Sequence, residues 1–214
     1  MLKFILFDLD GTLTDPKEGI TKSVSYALKR FGIERDPDSL TEFIGPPLKE
    51  QFMKYASLSE KDGERAVNIY RERFAPIGIF ENKLYDGIIE MLAELKNCGY
   101  TLAVATSKPY VFAEKIVEKF GMKPYFEIVE GSELDGRNTN KADVIRNAMK
   151  KLGAGSSDTI MVGDREHDCI GARKNGLRCI GVTYGYAKCG ELENSGACAL
   201  ASSPQGICEI LKTI

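Results

Sequence analysis

Two aspartates, Asp8 and Asp10 in the opening stretch MLKFILFDLDGTLTD, have the type and spacing that chemistry most readily uses. Five apolar side chains within residues 2–7, broken only by Lys3, lead up to them, and Gly11 and Thr12 follow. A short apolar run closed by a turn signal reads as a buried strand of a parallel sheet. Residues i and i+2 of a strand face the same way, so both carboxylates are expected to leave the strand end on one side. Held that close they repel each other, and one pKa rises unless a cation sits between them. The pair asks for a metal or for acid/base work.

Holding such a pair takes a scaffold, and the rest of the chain carries its pattern. Ile20, Val24, Ala27, Leu28 and Phe31 fall on one helical face, and Gly32 stops that helix. Asp36-Pro37-Asp38-Ser39 starts a second short helix that ends at Gly45-Pro46-Pro47, a rigid loop. Phe52, Met53 and Ala56 mark a third helix; Ala66, Val67, Ile69, Tyr70 and Phe74 mark a fourth, stopped near Pro76 and Gly78. Residues from about 16 to 80 therefore read as all-helical.

From Tyr85 onward the rhythm changes. Asp86 is expected to cap a helix that Gly99 closes, and strands are predicted at 101–107, 126–129, 159–164, 179–185 and near 197–201. Helices are predicted at 109–120, 141–152, up to Asn175-Gly176, and 205–211. Strands alternating with helices mean βαβ units and a parallel sheet. The expected fold is α/β: a Rossmann-like, three-layer core of residues 1–15 and 83–214, with an all-helical domain of residues 16–82 inserted.

Composition narrows the function. A chain of 214 residues, 43% hydrophobic, can bury a substantial core. Its 29 basic and 31 acidic residues are mixed along the sequence without a polybasic run, so a nucleic-acid polymer is not the expected partner. No apolar stretch approaches the ~20 residues of a membrane span, and the first run is too short and too soon acidic for a signal peptide. Cys98, Cys169, Cys179, Cys189, Cys198 and Cys208 lack CxxC spacing, and His167 is the single histidine. That argues against a disulfide scaffold or a zinc site, and for reduced thiols in a cytoplasmic chain.

Open parallel sheets bind ligands at the carboxyl ends of their strands. Besides Asp8 and Asp10, such ends carry Thr106 with Ser107, and Asp164 with Asp168 four residues later. Lys141 begins the helix before the last of these strands. Each has an ordinary use alone, since Thr, Ser and Asp cap helices and lysines are mostly solvated. Together they place four acids, two hydroxyls and a lysine at one sheet edge.

These residues resemble the motifs of the haloacid dehalogenase-like hydrolases, in the phosphatase branch that carries an all-helical cap after its first motif. DLDGTLTD at 8–15 is similar to the first motif, VATSK at 104–108 to the second, Lys141 to the third, and VGDREHD at 162–168 to the fourth in its GDxxxD form. The resemblance spans essentially the whole chain and is closest to phosphoglycolate phosphatases and 5′-nucleotidases. It implies Mg²⁺-dependent hydrolysis of a small phosphorylated metabolite through an aspartyl-phosphate, by a monomer or homodimer.

On that resemblance, Asp8 would be the nucleophile. Asp10 would protonate the leaving oxygen, then activate water, and would offer its backbone carbonyl to the metal. Asp8, Asp10, Asp164 and Asp168 would hold Mg²⁺, Asp168 by way of its waters. Thr106, Ser107 and Lys141 would hold the phosphoryl oxygens. Dehalogenases of this fold lack the second aspartate, so Asp10 favours phosphate chemistry. A sugar phosphomutase shares the cap and both aspartates but would retain phosphate on its substrate. A receiver-type module also puts acids and a lysine at sheet edges, yet has no helical insertion of this size. His167 is expected at a loop or helix start, not as a ligand; Arg71 and Arg73 are expected as surface charges. Arg165 pairs with an acid or with solvent, and Gly45-Pro46-Pro47 is either a connector or a loop facing the site.

Overall fold

The first apolar run forms β1 (Phe4–Phe7), and the computed structural model, which describes residues 2–214, builds its main sheet outward from that strand. After β1 comes the two-residue β2 (Thr14–Asp15). The chain then runs through α1 (Lys17–Lys29), a 3-10 segment (Pro37–Phe43), α2 (Leu48–Ala56), α3 (Glu60–Phe74) and a 3-10 turn (Gly78–Phe80). It returns through β3 (Lys83–Leu84), which pairs with β2 in a two-stranded ribbon. Neither short strand was expected, because two residues carry no readable alternation.

Next come α4 (Ile88–Asn97), β4 (Thr101–Pro109), α5 (Tyr110–Lys119) and β5 (Phe126–Ser132). They are followed by α6 (Lys141–Leu152), β6 (Thr159–Gly163), α7 (Glu166–Lys174) and β7 (Arg178–Val182). The chain ends with α8 (Glu191–Asn194), β8 (Ala199–Ala201) and α9 (Pro204–Leu211). The expected cap at Asp86 is not used: the N-cap of α4 is Gly87, whose φ of 85° only glycine adopts freely, with no side-chain cap. The one-turn α8 was not foreseen.

The chain divides into two compact units, one of residues up to Thr14 with Leu84–Ile214, the other Asp15–Lys83. In the first, six parallel strands take the order β5-β4-β1-β6-β7-β8. Both neighbours of β1 come from later in the chain, with Phe7 level with Val104 of β4 and Val162 of β6. The strand order therefore switches direction at β1, the position where such sheets open a crevice at their carboxyl ends. Alternation sends Leu6, Ala103, Ala105, Met161 and Cys179 to one face, where Val144, Ile145 and Ala148 of α6 and Cys169 and Ala172 of α7 complete a cluster. Ile5, Phe7, Leu102, Val104, Ile160 and Val162 fill the opposite alternation and are fully buried too. A strand buried on both faces reads as the near-continuous apolar run seen in the sequence.

In the second unit α1 packs on α3. A Cβ on Gly19 would overlap the Gly78 carbonyl, so that close approach requires glycine. Arg73 binds Glu81 with two hydrogen bonds, 2.8 and 3.0 Å, and donates a third to Ser23 Oγ. Among the described residues no helix is long and apolar enough to cross a membrane.

Candidate active site

Beyond β1 the backbone folds tightly on itself. The Asp8 amide continues the ladder to the Val162 carbonyl, and the Leu9 carbonyl takes the amides of Leu13 and Thr14. Gly11, at φ 88°, donates to the Thr14 carbonyl, and a Cβ there would overlap the Asp164 carboxylate. Gly185 faces the same side chain, and Gly163 leaves room for Asp168. Three glycines thus clear the volume that two acids fill. Tyr184 donates to the Thr12 carbonyl at 2.9 Å and packs edge-on against Tyr85, which braces the turn from outside.

Into this space come Asp8 from the end of β1, Asp164 just past β6, Asp168 from the first turn of α7, and Lys141 from the first residue of α6. Lys141 Nζ lies 2.7 Å from Asp8 Oδ1, 2.9 Å from Asp168 Oδ1 and 3.1 Å from the Ala105 carbonyl. Carboxylate oxygens of Asp8, Asp164 and Asp168 fall within 4.8 Å of one another, and all three acids are buried. Asp164 accepts from the Thr12 hydroxyl at 3.3 Å and from the Tyr186 amide at 2.8 Å. Asp168 Oδ2 accepts from the Arg165 amide at 3.0 Å.

Electrostatics follow from that packing. Burial, with the charges of Asp168 and Asp8 behind it, holds the Asp164 carboxyl well above the usual carboxylate range. Burial also raises Asp168, although the Lys141 ammonium pulls it down. For Lys141 burial works against the charge, but Asp168 and Asp8 outweigh it and push its pKa up. Three carboxylates and one ammonium leave a formal charge of −2 in a closed space. An all-oxygen donor set with that deficit fits a hard divalent cation, and Asp8, Asp164 and Asp168 are the residues that could hold it.

Asp10 goes elsewhere. Its carboxylate does not belong to the three-acid group; Oδ2 meets Lys108 Nζ at 2.5 Å, with both side chains buried. Burial raises the Asp10 pKa and Lys108 opposes it. The two carboxylates, expected on one side of the strand end, each meet a different lysine, because β1 ends at Phe7 and the turn follows. Thr106 is buried with its hydroxyl accepting from the Lys108 amide at 3.3 Å, while the Ser107 carbonyl accepts from Ser132 Oγ at 2.8 Å.

Other candidates take structural places. Arg165 pairs with Glu191 at 2.8 Å, and Glu191 also accepts from the amides of Glu166 and Lys188. His167 stands in the first turn of α7, outside the acid group, with Nδ1 3.9 Å from Glu166. Arg73 is committed to Glu81, and burial lowers the half-buried Arg71. Pro47 caps α2 without a side-chain bond, after Gly45 at φ 102°. Sequence reading missed Lys108, Thr12, Gly185 and Tyr186. Lys108 and Thr12 had a signal, as members of the VATSK and DLDGTLTD stretches; Gly185 and Tyr186 had none, because only the folded segment after β7 brings them to Asp164.

Residues 5–182 match the profile of the haloacid dehalogenase-like hydrolases. A 5′-nucleotidase of Pseudomonas aeruginosa is 50% identical over 88% of this chain and 86% of its own. The crystal structure of a protein described as a predicted phosphatase from Clostridium acetobutylicum superposes with a TM-score of 0.98, at 49% identity and full coverage of both chains. A protein of Mycobacterium tuberculosis named tyrosine-protein kinase PtkA is 38% identical over 87% of this chain, which spans 64% of that longer protein. Fold, clustered acids and sequence agree: the chain belongs to the haloacid dehalogenase-like hydrolases and is an enzyme of their phosphatase branch.

Proposed function

We propose that this enzyme hydrolyses small phosphate monoesters, nucleoside 5′-monophosphates or phosphoglycolate foremost, in two phosphoryl-transfer steps with Mg²⁺ as its cation. The observation that carries the reading is the Lys141 ammonium held against Asp8 and Asp168 inside a group of three buried acids. The 50% identical relative named 5′-nucleotidase supports the nucleotide as substrate.

In the first step the Asp8 carboxylate attacks phosphorus, and the bond to the ester oxygen breaks. Asp10 gives that departing oxygen a proton. In the second step Asp10 takes a proton from water, whose oxygen attacks phosphorus and releases inorganic phosphate from Asp8. Lys141, Thr106 and Ser107 hold the non-bridging oxygens, which is most of what phosphoryl transfer asks of a protein. Asp8, Asp164 and the Asp10 carbonyl would hold Mg²⁺, with Asp168 orienting its waters; when bound, the ion supplies charge neutralisation at the phosphoryl group. The helical unit is inserted directly after the Asp8–Thr14 turn, at the place where the resemblance to the family puts its substrate-selecting insertion.

A panel of nucleoside 5′-monophosphates, phosphoglycolate and sugar phosphates, assayed with Mg²⁺ and with chelator, tests the reading. The expected result is Mg²⁺-dependent release of inorganic phosphate. Isomerised sugar phosphate without free phosphate would instead identify a phosphomutase.

A further inference from the structure

Lys108 has a place in the site that the four motif acids and Lys141 leave unexplained. Its side chain is 6% exposed, and its Nζ lies 2.5 Å from Asp10 Oδ2. The other oxygen of that carboxylate, Asp10 Oδ1, is buried and has no hydrogen-bond partner among the described residues. With Oδ2 engaged by an ammonium and Oδ1 bare, Oδ1 is the oxygen with both acceptor positions open to carry a proton. Burying a lysine is unfavourable unless its counter-charge is fixed beside it, so neither partner is free to wander.

The backbone beneath Lys108 is shaped for this. The pairing of β4 with β5 shifts register between Ala105 and Pro109, and such irregularities re-aim side chains. Ser132 Oγ pins the Ser107 carbonyl, and a Cβ on Gly131 would overlap the Lys108 carbonyl, so the two strands are pressed together at this point. A lysine that only filled space at a strand end would need none of these constraints.

We propose that Lys108 is a positioning residue for proton transfer: it holds Asp10 through Oδ2 and so keeps Oδ1 available to the departing ester oxygen. The inference rests on Asp10 being the proton donor. It predicts that Lys108 matters in proportion to how much the leaving group needs a proton. A nucleoside 5′-monophosphate leaves as an alkoxide and needs one, whereas p-nitrophenyl phosphate leaves as a stable phenolate and does not.

The experiment compares kcat/KM of Lys108→Met on these two substrates. That quantity ends at loss of the leaving group, so the later activation of water by Asp10 does not enter it. The expected result is a fall of about 10²-fold on the nucleotide and less than about threefold on p-nitrophenyl phosphate, the scale of a lost acid/base contribution. Lys108→Arg should recover part of the nucleotide rate. Equal losses on both substrates, or no loss on either, overturn the proposal. Asp10→Asn, run beside it, separates the two levels. If Asp10→Asn itself shows no preference between the substrates, the proton-donor reading fails. If only Lys108→Met lacks the preference, the positioning role alone fails. Should Lys108→Met not fold, the same ratio is read from Lys108→Gln.

Discussion

Lys49 in the helical unit and Lys141 in the α/β unit each bridge two carboxylates at nearly the same distances. Lys49 reaches Glu60 and Glu64 at 2.9 and 2.8 Å; Lys141 reaches Asp8 and Asp168 at 2.7 and 2.9 Å. The partners of Lys49 are 77% and 63% exposed, while those of Lys141 are 7% and 1% exposed. Exposed pairs are screened and contribute little to stability, whereas a buried pair cannot lose one member without stranding the other. Burial, and not separation, decides what an ion pair does here. Arg73 with Glu81 lies between the extremes, two-point and about 20% exposed.

The sharpest test of this contrast removes charge from the buried group. Asp8→Asn should lower kcat/KM by about 10⁴-fold or more, since a nucleophile cannot be replaced from solvent. Retained Mg²⁺-dependent turnover would break the assignment. Asp164→Asn should abolish activity and also change how stability responds to pH. A carboxyl whose folded pKa is raised supplies stability below its unfolded value, near 3.9, and loses it as pH climbs through the folded one. Asp164 is such a group. The metal-free variant should therefore gain more melting temperature over the metal-free wild type at pH 8 than at pH 5. An equal difference at both would show that burial does not strain this acid.

Smaller effects are expected in the helical unit. Arg73→Met removes a two-point pair and a bond to Ser23, and should cost about 1–2 kcal/mol in chemical unfolding while leaving turnover of p-nitrophenyl phosphate largely intact. Lys49→Met should leave the melting curve within experimental error. A large shift there would contradict the ranking by exposure.

The site was only partly legible in the sequence. Asp8, Asp164 and Asp168 could be read because each follows an apolar run that folds as a strand, and the sheet brings strand ends together. Thr106 and Lys141 were legible as strand-end and helix-start residues, and the structure buries both. Lys108 stood in the VATSK stretch, but its contact with Asp10 could not be read, because that partner stands 98 residues earlier and β4 shifts register between Ala105 and Pro109. The hydroxyl of Thr12 and the amide of Tyr186 were equally hidden, since each meets Asp164 only once β1, β6 and the segment after β7 lie side by side.

By itself the sequence determined the longer strands and helices, though not β2, β3, α8 or the start of α4, because apolar period, glycine stops and acidic strand ends are local properties. Tertiary structure decided how charge is divided. Asp8 and Asp10, two residues apart and alike on the page, receive different lysines, one shared with Asp168 and one not. That division depends on a tight turn at Gly11, the order of strands around β1 and the burial of both lysines. None of these is written in the spacing of the two aspartates, because side chains far apart in the chain determine what each carboxylate faces.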